Sequence, residues 1–584
     1  MTKRVRAISR RPATAWGFVP HGAWSLLTDI PIFAAGLAFF YSIILLARYW
    51  ASPFTPEAQI SHSPSALPQY ALYSFLRIAI AYALSLAFTL VYGYIAAYNP
   101  KAERVMIPLL DILQSIPVLS FLPGVMLAMV SLFPHHQLGV EAGAILLIFT
   151  GQVWNMAFSF YSSLKSIPKE MREAALLYRF TSWQRFTRLE LPYAAIGLIW
   201  NSMMSVAGGW FFLMACEMFV LGNRDFRLPG LGSYLQTAAS AGDTRAILWG
   251  LGAMIAVIVL LDQLVWRPII AWAQKFKIEQ VESADVPRSP ILHLLRRSRL
   301  VNTLQHRITR PLGERIAMHF AAAQQKETHA EPPSVARTWL FRTIGVLIAF
   351  GVVYGVFDAI RFLSGLRGAD LRVLALGASA TFLRVVCALA IASAWTIPVG
   401  VWIGFNPKLA RIAQPLAQIA ASVPATALFP VILLLLIRVG GGLGIGSIVL
   451  LLLGTQWYLL FNVIAGAMAI PTDLKEASRV FRFSRAERWR RLILPGIFPY
   501  LVTGLVTAGG GAWNASIVAE YFHFGGHTIS TVGLGATISL ASDTGNFRLL
   551  LAATIVMSAI VVTINRTIWR PMYRLAETRF RLET

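Results

Sequence analysis

Residues 167–192, IPKEMREAALLYRFTSWQRFTRLELP, and residues 470–495, IPTDLKEASRVFRFSRAERWRRLILP, decide how this chain is built. They are two versions of one segment, 303 residues apart. Each follows a long apolar run and ends in Leu-Pro before another. The likeness extends outward. At the same offset Gly208 and Trp210 recur as Gly511 and Trp513, Gly230-Leu231-Gly232 as Gly533-Leu534-Gly535, and Trp266-Arg267-Pro268 as Trp569-Arg570-Pro571. Upstream the offset becomes 307. There Ser74-Phe75-Leu76-Arg77 pairs with Thr381-Phe382-Leu383-Arg384, Asn99-Pro100-Lys101 with Asn406-Pro407-Lys408, and Ser115-Ile116-Pro117 with Ser422-Val423-Pro424. A loop of different length between Ser115 and Ile167 accounts for the change. Self-similarity on this scale means two copies of one structural unit.

Composition says where the units sit. Of 584 residues, 56% are hydrophobic and 13% charged, against about 25% charged in an ordinary soluble domain. Runs of about 20 apolar residues are long enough to cross a bilayer. They fall near 30–48, 71–98, 106–132, 140–163, 192–220 and 246–266, and again near 339–357, 373–404, 413–437, 444–467, 496–520 and 548–567. The expectation is an all-α membrane protein of about twelve transmembrane helices. The net charge of +24 sits in short loops, as expected where cytoplasmic loops retain Lys and Arg. No nucleic-acid-binding motif accompanies it. Residues 50–69 hold no Lys or Arg, whereas 165–188 hold six, which places the N-terminus and residues 165–188 inside. Arg361, Arg367 and Arg372 fit that orientation less well. Cys216 and Cys387 lie in apolar runs and read as core residues.

These signals divide the chain into an N-terminal cytoplasmic segment with a first span (1–69), repeat 1 (70–270), a cytoplasmic linker (271–337), a first span of the second half (338–372) and repeat 2 (373–575), with the C-terminus inside. An even number of spans per repeat gives both the same orientation. They are then related by an axis along the membrane normal, with a route between them.

In the two quoted segments Pro168 and Pro471 can open a helix, where a missing N–H costs little. Glu173-Ala174-Ala175 and Glu476-Ala477-Ser478 then set small side chains beside a carboxylate. Such a cytoplasmic helix is either a topology-setting basic loop or a docking knob. Here the chain resembles the permeases of ATP-binding-cassette (ABC) importers. E-A-A, about fifteen residues, then L-P after the fourth span of each half is similar to their signature loop. Glu217 followed by Gly230-Leu231-Gly232 resembles the nitrate/taurine/sulfonate-type branch in a duplicated, fused form. The resemblance covers roughly 70–270 and 373–572.

It implies the type I importer permease fold in two parallel copies and a bacterial cytoplasmic-membrane location. One chain would replace the usual permease dimer. Each loop would be a coupling helix seated on one of two ATPase subunits, through Glu173, Ala174, Ala175 and Arg179 and through Glu476, Ala477, Ser478 and Arg482. ATP and Mg would bind to those partners, since this chain has no G-x-x-x-x-G-K-[ST] loop and implies no cofactor or metal of its own. An extracytoplasmic binding protein would deliver a small anion of nitrate, sulfonate, taurine or bicarbonate type. The family usually has Gly where Arg179 and Arg482 stand. The turn then differs or the helix runs on, and the partner's groove is expected to be acidic or aromatic there.

Candidate pathway or gate residues are the paired Glu217 and Glu520, the polar stripe Asn201, Ser202 and Ser205, and the paired Trp210 and Trp513. Polar groups inside a span default to function, although small residues also serve close packing and Trp packs in cores. Arg77 and Arg384 read as snorkelling side chains. Arg245 and Arg548, with Arg224 and Arg227, could steer an anion or an acidic binding protein. His135-His136, and His523 with His527, are weak metal candidates. A secondary transporter also has twelve spans in parallel halves, but places its basic motif after the second span. A membrane enzyme would need a cluster of acid, base or nucleophile that the sequence lacks.

Overall fold

The structure is a computed structural model and describes residues 60–221, 224–276, 289–298, 305–327, 335–438, 442–524 and 527–579, with isolated residues elsewhere. The span expected near 30–48 lies outside these residues.

Repeat 1 runs α1 (Leu67–Tyr98), α2 (Pro100–Ser115), α3 (Leu122–Leu132), α4 (Leu138–Lys165), α5 (Lys169–Leu177), α6 (Leu191–Glu217), α7 (Leu231–Ser240) and α8 (Thr244–Leu261). A linker helix, α9 (Arg310–Glu327), and α10 (Val335–Leu363) follow. Repeat 2 retraces the order as α11 (Gly368–Phe405), α12 (Pro407–Ser422), α13 (Ala425–Arg438), α14 (Leu443–Ala469), α15 (Thr472–Val480), α16 (Leu494–Ala519), α17 (Leu534–Asp543) and α18 (Phe547–Ile564). Among the described residues, eight helical stretches are long and apolar enough to cross a membrane. They correspond to α1, α4, α6 and α8 and to α11, α14, α16 and α18. The only strands among those residues form two short antiparallel hairpins, Val220–Leu221 with Arg224–Asp225 and Tyr521–Phe524 with His527–Ser530. The fold is an all-α membrane protein of two parallel repeats.

The repeat motifs act as punctuation. Asn99 ends α1 and caps α2, its Oδ1 accepting from Lys101 N–H (3.1 Å) and Ala102 N–H (3.2 Å). Pro100 fills the first helical position, where no N–H is needed. Asn406 does the same for α12 at 3.1 and 3.3 Å. Pro117 and Pro424 break the helix a second time, because the residue before proline is pushed out of the helical region. Ile116 and Val423 have ψ of 126° and 117°. The spans expected at 106–132 and 413–437 are therefore not single helices. Each is a pair, α2–α3 and α12–α13, of at most 16 residues apiece.

The break after Pro117 brings residues 118–121 against the other repeat. Leu119 N–H donates to Asn514 Oδ1 (3.4 Å), and Thr554 Oγ1 donates to Ser120 O (3.1 Å). One apolar core, including Trp210, Leu213, Ala512, Trp513 and Met557, is continuous across both repeats.

Candidate functional site

Both quoted segments fold alike. A short helix, α5 or α15, leaves the fourth long helix at Pro168 or Pro471 and ends in a Schellman cap. Phe180 N–H donates to Ala175 O (3.0 Å) and Arg179 N–H to Leu176 O (2.9 Å). In the second copy Phe483 N–H reaches Ser478 O and Arg482 N–H reaches Arg479 O, both at 3.0 Å. This cap requires a left-handed residue between its two bonds, normally Gly. Arg179 (φ 52°) and Arg482 (φ 51°) fill it, and among the described residues they are the only non-glycines with positive φ. The turn is thus closed without glycine, at a cost of about 1–2 kcal/mol per site. The next turn starts with a capping box in each copy, Thr181 with Gln184 and Ser484 with Glu487. Hydrogen bonds from Ser484 hold the Glu487 carboxyl below the usual carboxylate range.

Burial within each loop separates the sequence-chosen residues. Ala175 and Ser478 are buried, Ala174 and Ala477 are half-buried, and Glu173 and Glu476 are exposed. The tip is apolar and open to solvent: Leu177 is 84% exposed, Tyr178 77%, Val480 77% and Phe481 75%. Small residues at the E-A-A positions let the helix lie close to the chain behind it, while its next turn projects outward. The sequence signal for the tip was its unpaired apolar doublet amid charge.

The loops differ behind the tip. In repeat 1, buried Glu190 accepts from Tyr98 Oη (2.6 Å) and pairs with Arg185 (2.9 Å). The same places in repeat 2 hold Ile493 and Phe405. Lys475 lies 4.7 Å over the Phe405 ring, and burial lowers its ammonium pKa. Linker helix α9 stacks Phe320 on Trp183 (centroids 5.4 Å apart, 12° between planes), whereas the corresponding residue in repeat 2 is Ala486.

At the opposite end of the spans lies a buried ionic clamp. Arg77 is fully buried and forks onto Glu141, with Nε to Oε2 at 2.7 Å and Nη2 to Oε1 at 2.6 Å. Its Nη1 donates to Glu217 Oε1 (2.7 Å) and Pro229 O (2.9 Å). Glu217 also accepts from Ser74 Oγ (2.7 Å) and Gly232 N–H (2.7 Å). Ser74 Oγ in turn accepts from Leu231 N–H (3.0 Å). The clamp thus ties α1, α4 and α6 to the loop that starts α7. In repeat 2 Arg384 donates to Glu520 (2.9 Å), Val532 O (2.6 Å) and Thr531 Oγ1 (2.8 Å), and Thr381 Oγ1, Gly535 N–H and Ala536 N–H also donate to the Glu520 carboxylate. Residues 443–469 contain no acid, so Glu141 has no counterpart. Arg77 therefore does not snorkel: two carboxylates inside the repeat outcompete water at the interface.

Two cavities lie between the repeats. The outer one, about 480 Å³, is bordered by both hairpins and by α7 and α17, including Arg227, Gln236, Tyr521, His523 and Asp543. Arg227 pairs with Asp225, and Asp543 accepts from Tyr521 Oη (2.7 Å) and contacts His523 (3.1 Å). Burial and the Asp543 carboxylate raise the Tyr521 phenol pKa. The inner one, about 100 Å³, is lined by Gly208, Phe211, Gln418, Tyr458, Gly511 and Asn514 among others. None of Asn201, Ser205, Trp210, Glu217, Trp513 and Glu520 lines either cavity. Asn201 donates to Ser159 Oγ (2.9 Å) inside its own repeat, and Trp210 and Trp513 are buried in the common core. The stripe facing the other repeat is the one carrying Met204, Gly208 and Phe211, whose small and apolar residues give no polar signal. Arg548 does not project freely: it lies 5.3 Å over the Phe362 ring and donates to Gly365 O (3.2 Å). Arg245 is exposed. Among the described residues no group of three or more His, Cys, Asp or Glu is placed to hold a metal.

A Cβ on Gly208 would meet Tyr458 Oη at 3.4 Å, so the two repeats touch across the inner cavity at this residue. Gly208→Leu is expected to fill it while leaving yield and thermal stability near wild type. A large drop in Tm of this variant would show that the repeats pack more tightly at this residue than the cavity allows.

The family model described as "Binding-protein-dependent transport system inner membrane component" matches this chain twice, over residues 89–265 and 396–577. The chain belongs to that family. The two matches correspond to the two repeats, and the linker with α9 falls between them. Among curated relatives of this permease is the bicarbonate transport system permease protein CmpB of Synechococcus elongatus, 28% identical over 187 residues, which cover 32% of this chain and 64% of the relative. The nitrate import permease protein NrtB of Leptolyngbya laminosa is 26% identical over 187 residues, 32% and 63% of the two chains. The taurine transport system permease protein TauC of Escherichia coli is 28% identical over 185 residues, 32% and 61%. Each match thus covers less than two thirds of the relative's length.

Proposed function

We propose that this permease is the membrane subunit of a bacterial ABC importer for a small anion of nitrate, bicarbonate or sulfonate type. An extracytoplasmic binding protein delivers the solute, and two ATPase subunits drive the cycle, one on each coupling loop. A single chain then does the work of a permease dimer. The observation that carries this reading is the pair of coupling loops. They share one cap, one left-handed residue and one exposed apolar tip, in two repeats of the same orientation. Closure of two ATPases on such a pair would draw the loops together and turn the repeats about the interface that holds both cavities. ATP and Mg belong to the partners in this scheme. The relatives' names support the anion class.

The test is co-expression with a cognate ATPase. Wild type is expected to co-purify two ATPase copies per chain and to support vanadate-sensitive uptake in proteoliposomes. Leu177→Asp puts a charge into the first apolar tip and is expected to reduce the ratio to one. Phe481→Asp acts likewise on the second, and the double variant retains none. Uptake that follows an ion gradient and ignores vanadate would instead support a secondary transporter.

A further inference from the structure

Arg179 and Arg482 share four features. They are the only non-glycine residues in left-handed conformation among those described. They occupy equivalent positions in the two repeats. Both are exposed, and among the described residues neither guanidinium has a hydrogen-bond, ion-pair or ring partner. Glycine would fit the same cap without strain. A strained residue held twice, with nothing inside the chain to compensate it, points to a use outside the chain.

We infer that each of these arginines seats in a carboxylate-bearing groove of the ABC ATPase that docks on its loop. The inference rests on the ATPase reading above and adds the chemistry of the partner's surface. The αL geometry sets each arginine at the very end of the coupling helix, next to the exposed ring of Tyr178 or Phe481. A guanidinium carried into an interface with the tip must leave water, which is unfavourable without a countercharge. Arginine's planar fork matches a carboxylate in two parallel hydrogen bonds. The surroundings favour the same sign of partner. Residues 471–495 hold seven basic and three acidic side chains, and residues 168–192 hold five and three. A surface complementary to both loops is acidic.

Glycine substitution separates binding from folding. Arg179→Gly/Arg482→Gly removes strain, so the chain is expected to fold with a raised Tm. The affinity of a co-expressed ABC ATPase for this double variant in nanodiscs is expected to fall at least tenfold at low salt. The gap from wild type should shrink several-fold on raising salt from about 0.05 to 0.5 M, because salt screens the ion pair. Arg179→Lys/Arg482→Lys should keep part of the affinity. Equal affinity of wild type and glycine variant, with Tm raised, would overturn the inference. A loss independent of salt would overturn the carboxylate in favour of an aromatic groove. If wild type itself binds no ATPase, the failure lies with the importer reading instead.

Discussion

Arg77→Ala is expected to destabilise repeat 1 by about 3–5 kcal/mol, the range found when one partner of a buried ion pair is removed. Arg77, Glu141 and Glu217 are all fully buried. Alanine would leave two carboxylates facing each other without a countercharge or water. Lysine should not rescue, because a single ammonium cannot fork onto Glu141 through two parallel bonds and reach Glu217 as well. Replacing all three charges, as Arg77→Met/Glu141→Gln/Glu217→Gln, should recover most of the loss, since apolar or neutral isosteres of a buried ionic group are often tolerated. The pseudo-symmetric Arg384→Ala is the internal control. Arg384 faces one carboxylate and is 13% exposed, so water can partly compensate. Its cost is expected nearer about 1.5–3 kcal/mol, that of a hydrogen bond to a charged group. Thermal unfolding of the purified chain, followed by the monodisperse fraction remaining, measures both. Equal losses in the two repeats would mean that Glu141 adds no buried charge to the clamp.

That asymmetry marks where sequence reading stops. The repeat and the helix breaks around the two quoted segments were legible because their signals are local or recur at a fixed offset. Asn99-Pro100 and Pro168 announce helix starts, and Glu173 and Glu476 sit in register 303 residues apart. The pairing of Arg77 with Glu141 spans 64 residues and has no echo in repeat 2, so neither periodicity nor duplication could expose it. The two-part third span failed for a different reason. Hydropathy averages over a break, and Pro117 sits inside an apolar run where only its backbone effect, and not its polarity, divides the helix. The stripe that faces the other repeat carries Met204, Gly208 and Phe211, so it offers no polar signal by which to find it. In the structure the inner cavity between repeats is lined by Gly208, Gly511 and aromatic rings among others, while Asn201 of α6 bonds to Ser159 of α4 within its own repeat. The left-handed arginines were a departure that the sequence could flag but not resolve, since the choice between a strained cap and a longer helix depends on what packs behind Ala175 and Ser478.

Gly533→Ala should be nearly as damaging as loss of Arg77, through sterics rather than charge. A Cβ at Gly533 would stand 2.0 Å from Glu520 Oε2, and one at Gly230 would stand 2.3 Å from Glu217 Oε1. Neither carboxylate can retreat cheaply. Glu520 is held by Arg384, Thr381 and the Gly535 N–H, and Glu217 by Arg77, Ser74 and the Gly232 N–H. The added methyl therefore has to lift the loop preceding α7 or α17 away from the clamp. That adds overpacking strain of about 1–3 kcal/mol to the loss of charge-assisted hydrogen bonds. Because α17, which this loop starts, borders the outer cavity through Ile538, Ser539, Ser542 and Asp543, transport should fall along with stability. Gly252→Ala is the matched contrast. Gly252 lies inside α8, and its added Cβ would meet nothing within 4 Å. There the same methyl is expected to stabilise by up to about 1 kcal/mol through helix propensity. The two substitutions are thus expected to shift Tm in opposite directions. A common direction would show that the glycine loop is not seated on its carboxylate, and the clamp would then have no hold on the outer end of the repeat.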